Sequence, residues 1–130
     1  MILLDTHVVI WLMLSPDRLS VAARKAILGA RISGEDLAIS PVSLYEIAYA
    51  ARKKRLAMNS TTEAFVAAIQ SRLVLVPLTP AIAVCAGQLS APFHGDPIDR
   101  LIAGTAIVEE CVLITRDAHI RDAGVCKVLW

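Results

Sequence analysis

No apolar run in this sequence reaches the roughly 18 residues that a membrane-spanning helix needs. The best candidate, VVIWLML (8–14), is bracketed by Asp5, His7 and Asp17. That exclusion matters because the mean hydropathy is high, at +0.61. The opening MILLD has no basic n-region and meets an acid at once, which argues against a secretory leader and sets the expectation of a cytoplasmic protein. Cysteine is scarce: Cys85, Cys111 and Cys126 are an odd number without metal-ligand spacing, each in an apolar setting (AVCAG, EECVLI, AGVCKVL). They read as buried free thiols in a reducing compartment. His7, His94 and His119 are equally scattered, so a zinc site is not expected. Charge of one sign is also missing. A net charge of +1 implies neither a nucleic-acid partner nor its absence. There is no P-loop, no G-x-G-x-x-G, no G-x-S-x-G and no Cys–His pairing close in sequence, which removes support for nucleotide cofactors and for a Ser or Cys nucleophile.

What is present is aliphatic. With 56% hydrophobic residues against 19% charged and 5% aromatic, the chain has the composition of a compact globular protein, not a disordered one. Its 130 residues suit one domain spanning 1–130, and no repeat, low-complexity tract or flexible linker divides it. Short aliphatic runs read as strands: MILL (1–4), LAIS (37–40), LVLVP (73–77), CVLIT (111–115) and the final VCKVLW. Helical patterns lie between them near 7–14, 20–33, 41–55, 61–71, 79–89 and 97–110, with a short one after Asp117. Strands apolar on both faces and separated by helices predict an α/β fold, a parallel sheet of four to five strands covered by helices on both faces. Right-handed crossovers are expected. Ser40-Pro41 and Thr79-Pro80 look like caps followed by proline in the first helical turn.

The acids fall at telling places. Asp5 follows the first strand, Asp117 comes two residues after the fourth, and Asp96 and Asp99 open the helix leading into it. Glu46 lies about a turn and a half into the helix after the second strand, among Leu44, Tyr45, Ile47 and Ala48. In a parallel sheet all carboxyl ends lie on one edge, where ligands bind, so topology alone directs these acids together. Each has a structural explanation taken singly. Asp117 could cap its helix, Asp5 could open one, Glu46 could face solvent, and Asp99 could favour the helix dipole. Asp96 followed by Pro97 is accounted for as a cap. Four coincidences on one edge are less expected than one. Clustered carboxylates repel unless a cation neutralises them, and hard oxygen ligands suit Mg²⁺ or Mn²⁺. Such a site is the layout for phosphodiester hydrolysis by a metal-activated water.

ARKKRL (51–56) places Arg52, Lys53, Lys54 and Arg55 at the end of the Glu46 helix, while Arg100 and Arg116 adjoin Asp99 and Asp117. These six are candidate contacts to a nucleic-acid backbone; the run also suits a helix C-terminus without any ligand. No aromatics are interleaved with it, so no base-reading surface is visible. The apolar surplus of Val8, Val9, Trp11, Leu12 and Leu14 marks a candidate dimer contact.

Four blocks in order, LLDTHVVIWL, ISPVSLYEIA, DPIDRLIAGTA and LITRDAHI, with a near-terminal VLW, resemble the motifs of PIN-domain ribonucleases. More narrowly they resemble VapC-type toxins of bacterial toxin–antitoxin pairs, over essentially the whole chain. The resemblance implies Asp5, Glu46, Asp99 and Asp117 as the catalytic, metal-binding acids, with Thr6 and Thr115 as polar helpers. It also implies Mg²⁺- or Mn²⁺-dependent RNA cleavage, a homodimer, and a cognate antitoxin that blocks the groove, often with a basic side chain. Asp96 matches a recurrent family position but reads as the cap. Tyr45 stands where tryptophan is common, and Gly104 replaces a usual alanine, at up to ~1 kcal/mol of helix stability.

Two other readings compete. A PIN-like module could bind RNA or protein without cutting. A signalling receiver domain also puts acids at strand ends, but it wants an acidic pair after the first strand and a lysine after the last. Here Asp5 stands alone, and Lys127 lies inside the final strand pattern.

Overall fold

Brief aliphatic runs become the strands, and the longer patterns between them become the helices. The computed structural model describes residues 1–90, 93 and 96–130; His94 lies outside them. The chain runs β1 (Ile2–Leu4), α1 (Thr6–Leu14), a 3-10 turn (Pro16–Arg18), α2 (Val21–Ser33), β2 (Leu37–Ile39), α3 (Pro41–Arg52) and α4 (Thr62–Gln70). It continues with β3 (Val74–Leu75), α5 (Pro80–Gln88), α6 (Pro97–Val108), β4 (Val112–Ile114), α7 (Ala118–Ala123) and β5 (Val128–Leu129). All pairings are parallel, in the order β3-β2-β1-β4-β5. Successive side chains of a strand point to opposite faces, and two cores result. Ile2, Leu4, Leu37, Ile39 and Ile114 pack with α1, α2, α3 and α4 on one face. Leu3, Ala38 and Leu113 pack with α5, α6 and α7 on the other. Among the described residues no helix is long and apolar enough to cross a membrane.

Several details depart from what the sequence predicts. Val74 and Leu75 are exposed, not buried, because β3 is the sheet's outer strand. The apolar surplus of α1 goes into the core: Val8 and Val9 are wholly buried, Trp11 nearly so, and Leu12 and Leu14 pack against the same cluster. That surplus therefore does not mark a dimer face. Helix α3 stops at Arg52, with Lys53 as its C-cap and Lys54 left-handed at φ 55°, so the basic run forms a turn and not a last helical stretch. Thr79 caps α5 through its hydroxyl, but Ser40 makes no side-chain cap. With Pro41 lacking an N–H, the amide of Ser43 closes on the Ser40 carbonyl instead. The three cysteines are free thiols, with Cys111 buried and Cys85 and Cys126 half-buried.

Gly104 has a packing reason. A Cβ there would lie 3.1 Å from both the Cβ and the backbone N of Ala86, so its absence lets α5 and α6 approach closely.

Candidate metal-dependent nuclease site

The strand order turns back between β1 and β4, and ligand crevices form outside the carboxyl ends at such a point. Asp5 leaves β1 there as the N-cap of α1, accepting from the Thr6 amide at 2.7 Å. Its other oxygen accepts from the Thr115 hydroxyl, at the end of β4, at 2.6 Å. Thr115 in turn accepts from the Asp117 amide at 2.9 Å, so one buried hydroxyl ties the two strand ends together. Asp117 caps α7, taking the Ile120 amide on Oδ1 at 2.9 Å. Both acids are thus caps and crevice residues at once.

Helix α3 presents Glu46 to the same edge. Thr6 Oγ1 hydrogen-bonds the Glu46 carboxyl and lies 2.9 Å from the hydroxyl of Ser43. A hydroxyl carries one proton; Thr6 therefore donates it to the Glu46 carboxylate and receives one from Ser43. Ser43 was not singled out in the sequence, although its place one helical turn before Glu46 was the available signal. Asp96 caps α6 through the Ile98 amide at 2.8 Å, and that start places Asp99 in the first turn.

The electrostatics show which acids share the space. Burial raises the Asp5 carboxyl above the ordinary range, and the bonds from Thr115 and Thr6 oppose it. Burial likewise raises Glu46, the Thr6 bond opposing and the Asp5 charge adding. Asp99 is pushed up to about 7, first by burial and then by the charges of Asp5, Asp117, Glu46 and Asp96. Every candidate acid therefore acts on Asp99. Among the described residues, however, no three His, Cys, Asp or Glu side chains stand close enough to hold a metal ion as they are. Like charges keep uncompensated carboxylates apart, and both Asp5 oxygens are engaged by hydrogen bonds. The donor set is all hard oxygen, which fits Mg²⁺ or Mn²⁺ in kind.

The basic candidates divide. Arg116 lines a crevice of about 370 Å³ with Asp5, Asp117, His7 and Trp11, its guanidinium 5.8 Å from the Trp11 ring centroid. Arg55 lines a larger groove on the side of Thr6 and Glu46, together with Arg18, which sequence reasoning missed. Arg52 at the end of α3 and Lys53 and Lys54 on the turn after it are exposed. Arg100 is a correction. Its guanidinium donates to the carbonyls of Ala86 at 3.0 Å, Leu89 at 3.1 Å and Phe93 at 2.6 Å. These bonds to the end of α5 and to Phe93 leave it committed inside the fold instead of facing a phosphate.

Comparison with known proteins identifies the family and the fold. The PIN domain family model matches residues 2–125. The chain belongs to the PIN-domain family. Its likeness is to VapC-type members: over 121 residues, 93% of this chain and 90% of the relative, it is 36% identical to Ribonuclease VapC22 of Mycobacterium tuberculosis. The fold is shared with VapBC2 from Rickettsia felis bound to a DNA fragment from its promoter, at TM-score 0.75 and 18% identity over 99% of this chain and 98% of that one. It is shared too with DNA-bound VapBC from Salmonella typhimurium, at TM-score 0.73 and 22% identity over 98% and 96%.

Proposed function

We propose that this chain is a toxin endoribonuclease that hydrolyses RNA phosphodiester bonds with a metal-activated water, and that a cognate antitoxin restrains it. The observation that carries the reading is that Asp5, Glu46, Asp99 and Asp117 come to one edge of the sheet, where burial first and then the charges of Asp5, Asp117, Glu46 and Asp96 push Asp99 up to about 7. A site that penalises its own charge so strongly is suited to a cation. Asp5, Glu46, Asp99 and Asp117 would hold Mg²⁺ or Mn²⁺, which supplies an attacking water of lowered pKa and offsets charge on the scissile phosphate. The chain's own work is positioning. Thr115 orients the Asp5 carboxylate and the Asp117 backbone, while Thr6, backed by Ser43, orients Glu46. Arg116 and Arg55 border the acids and suit the flanking phosphates. The restraint by an antitoxin rests on the likeness to VapBC assemblies, and a homodimeric state on the resemblance of the sequence motifs to VapC-type toxins alone.

The test is cleavage of a panel of structured and single-stranded RNAs in Mg²⁺ or Mn²⁺ against EDTA, with Asp5→Asn and Asp99→Asn alongside. Cuts that need metal and vanish in both variants are the expected result. Metal-dependent cutting that survives both substitutions would place the chemistry elsewhere. RNA binding without cutting on any substrate would favour a PIN-like binding module.

A further inference from the structure

We infer that Tyr45 and Tyr49 form a base-stacking platform beside the carboxylate site, so that RNA enters with unpaired bases laid on these two rings. The inference rests on the nuclease reading of that site. In a chain with only 5% aromatic residues, these two are left 63% and 43% exposed. They sit four apart on α3, where side chains share a face. Their rings lie 6.3 Å apart, centroid to centroid, and within 25° of parallel. Two nearly parallel, solvent-exposed rings offer aromatic faces on which unpaired bases can stack.

Their location gives them a ligand. Tyr45 directly precedes Glu46, and both rings line the groove of about 710 Å³ that also holds Thr6 and Glu46. The platform therefore shares its groove with Glu46. Arg18 and Arg55 line the same groove, and the Lys53 ammonium lies 5.6 Å from the Tyr49 ring centroid. A positive track for phosphates combined with aromatic faces for bases is how proteins hold single-stranded nucleic acid without reading sequence. Duplex RNA, whose bases already stack on one another, has nothing to offer the rings. This accounts for what the basic run alone did not show: the aromatics lie one to two helical turns before it, on the face that turns toward the acids.

The experiment uses an eight-nucleotide single-stranded RNA carrying 2-aminopurine, in Mg²⁺, with the Asp99→Asn protein so that the RNA stays uncut. Stacking should quench the 2-aminopurine fluorescence as the complex forms. Tyr45→Ala and Tyr49→Ala should each weaken binding roughly 5- to 100-fold, the range that loss of one base–aromatic stack corresponds to. Tyr45→Phe and Tyr49→Phe, which keep the ring, should bind as the parent does, and an abasic oligonucleotide should lose the dependence on either tyrosine. Arg55→Ala should lower the slope of log Kd against log salt by about one, whereas the tyrosine variants should leave it unchanged. Alanine variants that are folded and bind like the parent overturn the platform while leaving the nuclease reading intact. So does a loss of self-association in those variants with RNA affinity unchanged, which would make the face a protein interface. Failure of the parent to bind any RNA, single-stranded or duplex, sinks both.

Discussion

Asp99 is half-buried where four other carboxyl groups also act on it, and its titration reports both effects together. In metal-free protein it keeps its proton to about pH 7, whereas in the unfolded chain it releases it near the ordinary carboxylate value. Between those limits the native state binds more protons than the unfolded one, so stability falls as pH rises. Urea melts in EDTA should show wild-type protein losing stability from about pH 4 to pH 7 relative to Asp99→Asn, which lacks the carboxyl. Equal pH profiles would mean that Asp99 is neither buried nor crowded by the other acids. Asp96, three residues earlier, acts differently, since its side chain closes the α6 start on the Ile98 amide. Asp99→Asn should nearly abolish RNA cleavage with the circular dichroism spectrum unchanged. Asp96→Ala should cost roughly 0.5–2 kcal/mol of stability and retain cleavage. Loss of activity in a fully folded Asp96→Ala protein would overturn that division.

Helices α5 and α6 show how an element-level choice overrides local propensity. Gly104 lies inside α6, where alanine would be favoured by up to ~1 kcal/mol. The Cβ would, however, meet backbone and Cβ atoms of Ala86 at 3.1 Å, and a helix backbone does not swing aside as a long side chain does. Overpacking of this kind costs about 1–3 kcal/mol. The clash wins, so Gly104→Ala should lower Tm by several degrees in a thermal melt; a higher Tm would show that α5 can yield. Arg100 reinforces the same contact, its guanidinium on α6 bonding the Ala86 carbonyl of α5 as well as those of Leu89 and Phe93.

The four candidate acids come from four separated stretches of chain, so any site they form together requires the folded sheet. A ligand that binds the folded state alone stabilises it by RT ln(1 + [L]/Kd), about 2.7 kcal/mol at a hundredfold excess over Kd. Mn²⁺ or Mg²⁺ should accordingly raise Tm, and Asp5→Asn should weaken that rise. An unchanged rise in the variant would mean that the ion binds away from the shared site.

The class of fold was legible in the sequence because a buried parallel strand has to be apolar on both faces, and five such runs alternate with helical patterns. The nearness of Asp5 and Asp117 was legible for a related reason: topology sends residues after parallel strands to one edge. Tertiary structure alone decided the rest. Whether Arg100 faces a phosphate or three carbonyls, whether α1's apolar residues are surplus or core, and which aromatics border Glu46 all depend on contacts between segments far apart in the chain. Periodicity reports which side of an element is buried. It does not report what stands opposite, and at this site what stands opposite determines the chemistry.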